Sequence, residues 1–416
     1  MRILIQSLNY APERIGTAVY SAGMAEALRD FGHAVRVVAG QPYYPAWRVE
    51  PGYPAFRYTR RHEQGIDVTR CPHYVPRRPT GIRRILHHAS FALTSLVPLL
   101  RDTLLWRPDV VIAVAPGLMA APMTAVLGRL GGARTWLHVQ DFEAEAAVAT
   151  GLMAPADRLA RGAALFERMA FSLFDRVSSI SPRMCARLAA KGVPADRIFE
   201  LRNWAELELV RPTDTPSPLR AEWNITTPYV ALYSGNIANK QGISIVLDAA
   251  KRLADRDDLT FVVCGEGSHR AALQRRAEGL GNVRFFGLQP RERLGELLAL
   301  ATVHLLPQRA DVADLVLPSK LTNMLASGRP VVATVAPGAD LGAEIAGCGL
   351  ATPPGDAAAF AEAIRRLIDD AEMRERFGRA ARERAERVWA RPRIMAAFHR
   401  ELTSLGPHPA PAVNLR

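Results

Sequence analysis

Only Lys191, Lys240, Lys251 and Lys320 are lysines among the 53 basic residues, and two of them sit where a short loop meets a helix-like run. Lys320 follows Pro318 and Ser319 in "LPSKLTNMLASGRPVVAT", and Lys240 lies in "YSGNIANKQG", a strand-like run followed by a glycine turn. The free N–H groups of a first helical turn attract anions. A lysine beside them adds a point charge suited to phosphate. With Ser319 as the expected cap and the turn Gly265–Gly267, "GEG", behind another strand-like run, these segments suggest a diphosphate site. Taken singly, each also fits a surface lysine or a capping serine. A second constellation, "LHVQDFEAE", puts His138, Asp141, Glu143 and Glu145 at the carboxyl end of a strand-like run. Polar groups there are candidates for binding hydroxyls and orienting an attacking one. Alternation places His138 and Gln140 on one face and Asp141 and Glu143 on the other. His138 fits a hydrogen-bonded core histidine as well.

The elements that must position these groups alternate in type. In the first half the buried strand-like runs are "RILIQSLNY", "AVRVVAG", "DVVIAVA", "RTWLHVQD", "RVSSISP" and "RIFELRN". Between the first two, Thr17 is the expected cap of a helix with Tyr20, Met24, Leu28 and Phe31 as its apolar stripe, closed by Gly32. After the loop-like "RPTDTPSPLRAEWNITTP" the pattern restarts with "YVALYSGN", "LTFVVCGEG", "VRFFGL", "VHLLPQ" and "PVVATV". A chain of 416 residues exceeds what one hydrophobic core usually grows to. Two parallel sheets covered by helices follow, with a seam near residue 205. A last long helix is interrupted near Trp389 and Pro392, so its end is expected to leave the second domain and pack on the first.

Charge is uneven. Residues 1 to 204 hold 26 Lys+Arg against 16 Asp+Glu, a net +10 of the total +12. The densest run contains Arg57, Arg60, Arg61, Arg70, Arg77, Arg78, Arg83 and Arg84, followed by the apolar Phe91, Leu93, Leu96 and Leu100. Such a pattern suits an anionic membrane surface, or equally a solvated arginine-rich face. No base-reading module accompanies it, which argues against nucleic acid. The uncharged stretch Val110 to Gly128 is punctuated by Pro116, Gly117 and Pro122, so a strand, a loop and a short helix are expected there, not a membrane span. Met1 and Arg2 lead straight into a strand-like run, unlike a signal peptide. Four widely spaced cysteines suggest reduced thiols and a cytosolic address.

Over its whole length the chain resembles the GT-B glycosyltransferases of the large retaining family 4. The resemblance rests on "NYAPERIGTAVYSAGMAEALRDFGHAVRVVAG", "GNIANKQGI", "FVVCGEGSHRAAL", "VRFFGLQPRERL" and "LPSKLTNMLASGRPVVAT". The pairing of "HVQDFE" with "PSKLTNMLASGRPVVAT" is most similar to the WcaI-like enzymes of colanic acid and related exopolysaccharide assembly. This implies an α/β GT-B fold, two Rossmann-like doubly wound domains facing a central cleft. Residues 1–205 would bind the acceptor, with a helix near 390–405 packing back on them, and residues 206–389 the nucleotide-sugar. The implied reaction moves one sugar, with retained configuration, from GDP-fucose or a UDP-sugar to a lipid-linked exopolysaccharide intermediate, a polyprenyl-diphosphate-linked sugar. No metal cofactor is expected, because positive charge at Lys240 and Lys320 with a helix N-terminus can do a divalent cation's work, and the basic and apolar run from Arg77 to Leu100 is expected to attach the protein peripherally to the inner face of the plasma membrane. A sugar-nucleotide epimerase of the same fold and an inactive nucleotide-sugar-binding protein are the alternatives. A hydride-transferring enzyme is disfavoured because no G-x-G-x-x-G opens either domain.

Carried over residue by residue, the resemblance makes Gly16 the glycine that lets backbone approach the donor phosphates, and puts Glu266 and Phe286 in segments of the nucleotide pocket. Asn236 stands where the family commonly has arginine; Lys240 falls one place ahead of the usual lysine, which Gln241 occupies. Of the family's paired glutamates, the first falls on Leu315, with Asp314 beside it as a substitute, and the second on Asn323. Ser319, Lys320, Leu321 and Asn323 form the donor-binding helix start, Asn323 reaching the ribose or sugar. Lys240 joins His138, Asp141 and Glu143 as the catalytic candidates, while the leaving phosphate accepts the acceptor's proton.

Overall fold

The computed structural model describes residues 1–13, 16–143, 145, 158–238, 241–309 and 317–406. The chain forms two compact units, one of Met1–Arg202 with the described residues from Pro392 onward, the other of Asn203–Arg391.

The first unit is built on eight strands, β1 (Arg2–Ser7), β2 (Ala34–Gly40), β3 (Thr59–Glu63), β4 (Ile66–Cys71), β5 (Val110–Ala115), β6 (Arg134–Val139), β7 (Arg176–Ser179) and β8 (Ile198–Glu200). Their order is β3-β4-β2-β1-β5-β6-β7-β8. Every pairing is parallel except the β3–β4 hairpin. All six residues of β5 are buried, as a strand covered on both faces requires. Successive strands run outward from β1 to one side and from β5 to the other, so the sheet switches direction between β1 and β5. Loops at the carboxyl ends of such a pair flank the crevice where doubly wound sheets take ligands.

The second unit has six parallel strands, β9 (Tyr229–Ser234), β10 (Leu259–Cys264), β11 (Val283–Phe286), β12 (Val303–Leu306), β13 (Val331–Thr334) and β14 (Gly349–Thr352). They run in the order β11-β10-β9-β12-β13-β14, with the switch between β9 and β12. Tyr233, Phe261, Val263, Phe360 and Ile364 anchor one core of this unit, and Leu321, Met324, Leu325 and Trp389 another.

Several local expectations change. Thr17 opens its helix, Thr17–Asp30, without capping it: Gly16 occupies the preceding position at φ 66°, a conformation glycine adopts without strain. Phe31 is exposed and stacks on His399 at 4.3 Å. The densest basic run contains the β3–β4 hairpin, turned at Gln64 and Gly65, both at positive φ. Its arginines go different ways. Arg60 pairs with Asp67 at 2.6 Å, whereas Arg70 is fully buried and paired with Glu63 at 2.9 Å. Val110 to Gly128 resolves into β5, a turn and the helix Ala121–Leu130, and no described helix is long and apolar enough to cross a membrane. None of the four cysteines is in a disulfide.

The terminal helix breaks at Ala390, whose ψ is 118°. Pro392 then lies in the first turn of the helix Arg391–Ser404, where its missing N–H is no loss. That helix buries Phe398 against Trp136 of β6, ring centres 5.0 Å apart and nearly perpendicular.

Candidate functional site

In the second unit Lys320 and the glycine loop that carries Asn236 come together at the switch between β9 and β12. The glycine loops after β9 and β10 are zipped together: Gly235 N–H donates to Cys264 O at 3.0 Å, and Ile237 N–H to Glu266 O at 2.8 Å. A Cβ on Gly265 would stand 1.9 Å from Gly235 O, and one on Gly267 2.2 Å from Ile237 O. These glycines therefore serve backbone contact between the loops. Lys320 lies against Gly235, with Cδ 3.5 Å from where a Cβ would be. Its Nζ sits 4.1 Å from the Tyr233 ring centre, buried, with no hydrogen-bond partner among the described residues. Burial pushes this ammonium down to about 7.

The remaining donor candidates divide. Lys240 and Asp314 lie outside the described residues, and so does Leu315. Asn236 is exposed beside the loop junction, its carbonyl accepting from Tyr233 Oη at 2.7 Å. Ser319 does not cap: its side chain makes no hydrogen bond to the helix Lys320–Ala326, because the turn already closes through Leu321 N–H to Pro318 O at 3.0 Å. Leu321 is fully buried in the core, so its side chain holds the helix down instead of meeting a ligand. Asn323 Oδ1 accepts the backbone N–H of Glu206 at 2.8 Å. Glu266 pairs with Arg270, and the Phe286 ring is stacked on Trp223 at 3.8 Å.

In the first unit the sheet's carboxyl edge carries a denser site than the sequence implied. His138 is the penultimate residue of β6, with its side chain turned into the core. It is 2% exposed inside β6, with Nδ1 2.9 Å from Ser178 Oγ, and burial holds it neutral down to about 3. The hydrogen-bonded core histidine is thus its place. Asp141 lies half-buried at the end of β6. Glu143 reaches across to the switch point, where Oε1 accepts the N–H groups of Gly117 at 2.5 Å and Leu118 at 2.7 Å. Its other oxygen faces His88 Nδ1 at 3.9 Å. Burial raises the Glu143 carboxyl above its ordinary value, while the two amides and the nearby Arg84 guanidinium oppose the rise. Gly16 opens its helix beyond the other side of the switch, with open space where a side chain would be.

Sequence reasoning missed the partners. Glu13, buried after β1, accepts the N–H groups of Tyr43 and Tyr44 at 2.8 and 2.9 Å and the Asn9 amide at 2.9 Å, locking two loops together. His73 and His87 pack edge to face on Tyr43 and on each other, and His88 packs edge to face on His87 with ring centres 5.2 Å apart. His87 and His88 come from the helix Gly81–Arg101, and the available signal was "RRILHHASF", in which Arg84, His87, His88 and Phe91 share one face. The opposite face of that helix exposes Ile82, Leu86, Leu93 and Val97. Leu105 and Leu130 add two further exposed leucines, at 79% and 76%. Arg77, Arg78 and Arg83 are exposed, whereas Arg84 turns inward and is half-buried.

Two family models match the chain: "Glycosyl transferase 4-like domain" over residues 16–204 and "Glycosyl transferases group 1" over residues 217–384. The chain is 38% identical over 409 residues to WcaI of Escherichia coli (strain K12), a protein named as a glycosyl transferase of colanic acid biosynthesis, with 96% of this chain and 98% of that one aligned. Among solved structures, sucrose-phosphate synthase from Thermosynechococcus elongatus matches with a TM-score of 0.75 at 19% identity, covering 97% of this chain and 98% of that one. HepE of Anabaena, solved in complex with UDP, matches with a TM-score of 0.72 at 17% identity, covering 97% and 100%. At these identities the two structures share the fold, GT-B. Neither family model describes an epimerase, and that alternative has no support.

Proposed function

The chain belongs to the glycosyltransferases of this 4-like and group 1 family, and on that premise we propose that it moves one sugar from a nucleotide-sugar to a lipid-linked intermediate of exopolysaccharide assembly. The observation that carries the proposal is the end-to-end match to a colanic acid glycosyl transferase, which spans both domains. GDP-fucose is the proposed donor, with UDP-sugars second, and configuration at the anomeric carbon is retained. Lys320 at the second switch point supplies a cation that strengthens as negative charge develops on the departing diphosphate. That charge stands where other enzymes place a divalent ion, so the proposed reaction needs no metal. The acceptor is a polyprenyl-diphosphate-linked sugar, its hydroxyl met at the carboxyl edge of the first sheet around Glu143. Exposed apolar side chains beside Arg77, Arg78 and Arg83 support seating on the anionic inner face of the plasma membrane, where such a lipid resides.

The test is thermal-shift screening of the purified protein against nucleotide-sugars, followed by transfer of the stabilising donor's sugar to polyprenyl-diphosphate-linked acceptors with and without chelator. A new glycosidic bond of retained configuration, formed equally in chelator, is the expected result. Conversion of the donor to an epimer, or binding without turnover, overturns the proposal; arrest by chelator that manganese or magnesium reverses overturns its metal-free part.

A further inference from the structure

Glu143 is held from three sides. From the loop after β5, the Gly117 and Leu118 amides fix one carboxylate oxygen. From its own segment, Phe142 is buried and Glu145 is clamped by Arg187 at 2.7 Å and Lys191 at 3.0 Å. Lys191 is itself tied to the buried Glu167 of the helix Arg158–Ser172 at 2.5 Å. From the helix Gly81–Arg101, His88 faces the second oxygen at 3.9 Å, and the Arg84 guanidinium, one turn earlier, bears on Glu143, His88, His87 and Tyr43. The second oxygen is therefore an acceptor in a fixed place at the switch point, with His88 too far for a full hydrogen bond and no other donor on it among the described residues.

We propose that His88 and Arg84 are positioning residues that act through Glu143, holding its second carboxylate oxygen to receive a hydrogen bond from the attacking hydroxyl of the lipid-linked acceptor sugar. The inference rests on the reading that this edge of the first sheet binds the acceptor. A carboxylate already fixed by two amides needs no reorganisation when the hydroxyl arrives, and it orients the hydroxyl's lone pair toward the donor without removing its proton. His88 keeps the oxygen from swinging toward the loop, and Arg84 keeps the group ionised against its burial.

The experiment measures transfer to a polyprenyl-diphosphate-linked sugar in detergent, so that vesicle binding does not enter. His88→Ala should raise the acceptor KM about tenfold with the donor KM unchanged, and His88→Phe, which keeps a flat ring packed beside that oxygen, should recover most of that loss. Arg84→Met should move the acid limb of kcat/KM for acceptor to higher pH, because the charge that favours the Glu143 carboxylate is gone, whereas Arg84→Lys should leave it in place. An unchanged acceptor KM in His88→Ala, a donor KM that rises as much as the acceptor's, or an unmoved acid limb in Arg84→Met overturns the positioning role. Failure of the parent protein to use any lipid-diphosphate sugar overturns the acceptor reading itself, a separate outcome.

Discussion

Asn323 Oδ1 accepts the backbone N–H of Glu206 at 2.8 Å, which ties the helix Lys320–Ala326 to the segment that opens the second unit. The side chain expected to lie against ribose has a structural partner before any ligand arrives. Removing it strands an N–H donor, so Asn323→Ala should lower unfolding stability without ligand by about 1 kcal/mol, and Asn323→Asp, which keeps the acceptor oxygen, should lose less. Urea unfolding reads this directly. Identical midpoints for Asn323→Ala and the parent would mean that water replaces the bond in full.

How far the sequence carries depends on what each residue answers to. The parallel strands were legible because β5 is apolar along its whole length and β1, β9 and β10 are short, mostly apolar and buried runs, as doubly covered strands must be. The β3–β4 hairpin was not, because "TRRHE" alternates poorly, and what holds it is polar: Arg60 pairs with Asp67 of β4, and Glu63 pairs with the buried Arg70 of β4. Lys320 was legible from its motif, yet Ser319 and Leu321 beside it turned out to be a non-capping turn residue and a core residue. Glu143 was legible as a carboxylate after a strand. Its amide partners, Gly117 and Leu118, are 26 and 25 residues away in the chain, and no local pattern announces them.

The His138 environment makes a pH prediction. Trp136 Nε1–H donates to Ser178 Oγ at 2.8 Å, the same oxygen lies 2.9 Å from His138 Nδ1, and burial keeps the ring neutral. Its folded value of about 3 lies below the ordinary 6.5. The unfolded chain therefore takes the proton first, and the stability this residue contributes is complete above pH 6.5 and lost as pH falls toward 3. His73 and His304, also lowered to about 3, titrate in the same window, so the informative quantity is a difference. Between pH 6 and 4 the parent should lose stability faster than His138→Gln, by up to about 1.4 kcal/mol per pH unit. Parallel stability curves would refute it.

The exposed face of the first unit should bind anionic bilayers through two separable contributions. Arg77, Arg78 and Arg83 act by charge, each adding about 1 kcal/mol near an anionic surface and fading as salt rises. Ile82, Leu86 and Leu93, exposed on one face of the helix Gly81–Arg101, act by burial of apolar area, at about 25 cal/mol per Å² and with little response to salt. Flotation with anionic vesicles should show both triple glutamine variants binding more weakly, with high salt abolishing the difference between the arginine variant and the parent but not that between the apolar variant and the parent. Parent-like binding by the apolar variant would mean that this face stays in water.

Lys320 gives a prediction in which stability and binding move in opposite directions. Its Nζ is buried over the Tyr233 ring with no hydrogen-bond partner among the described residues, and burial lowers it from 10.5 to about 7. An unfolded chain holds this proton up to about 10.5, so folding is disfavoured by the charged group most strongly below pH 7 and not at all above pH 10.5. Lys320→Met keeps the stem and removes the charge; it should unfold later than the parent at pH 6 and lose that advantage as pH rises from 7 toward 10.5. A nucleoside diphosphate reverses the preference, because its oxygens supply the acceptors the ammonium lacks. Binding at pH 8 should then draw a proton from the buffer. Calorimetry with GDP and UDP in two buffers of different ionisation enthalpy should register that uptake in the parent and not in Lys320→Met, whose affinity should be lower by about 1.5–3 kcal/mol, the range of a hydrogen bond to a charged group. Equal affinity in the two proteins, or heats that do not depend on the buffer, would remove Lys320 from the phosphate site.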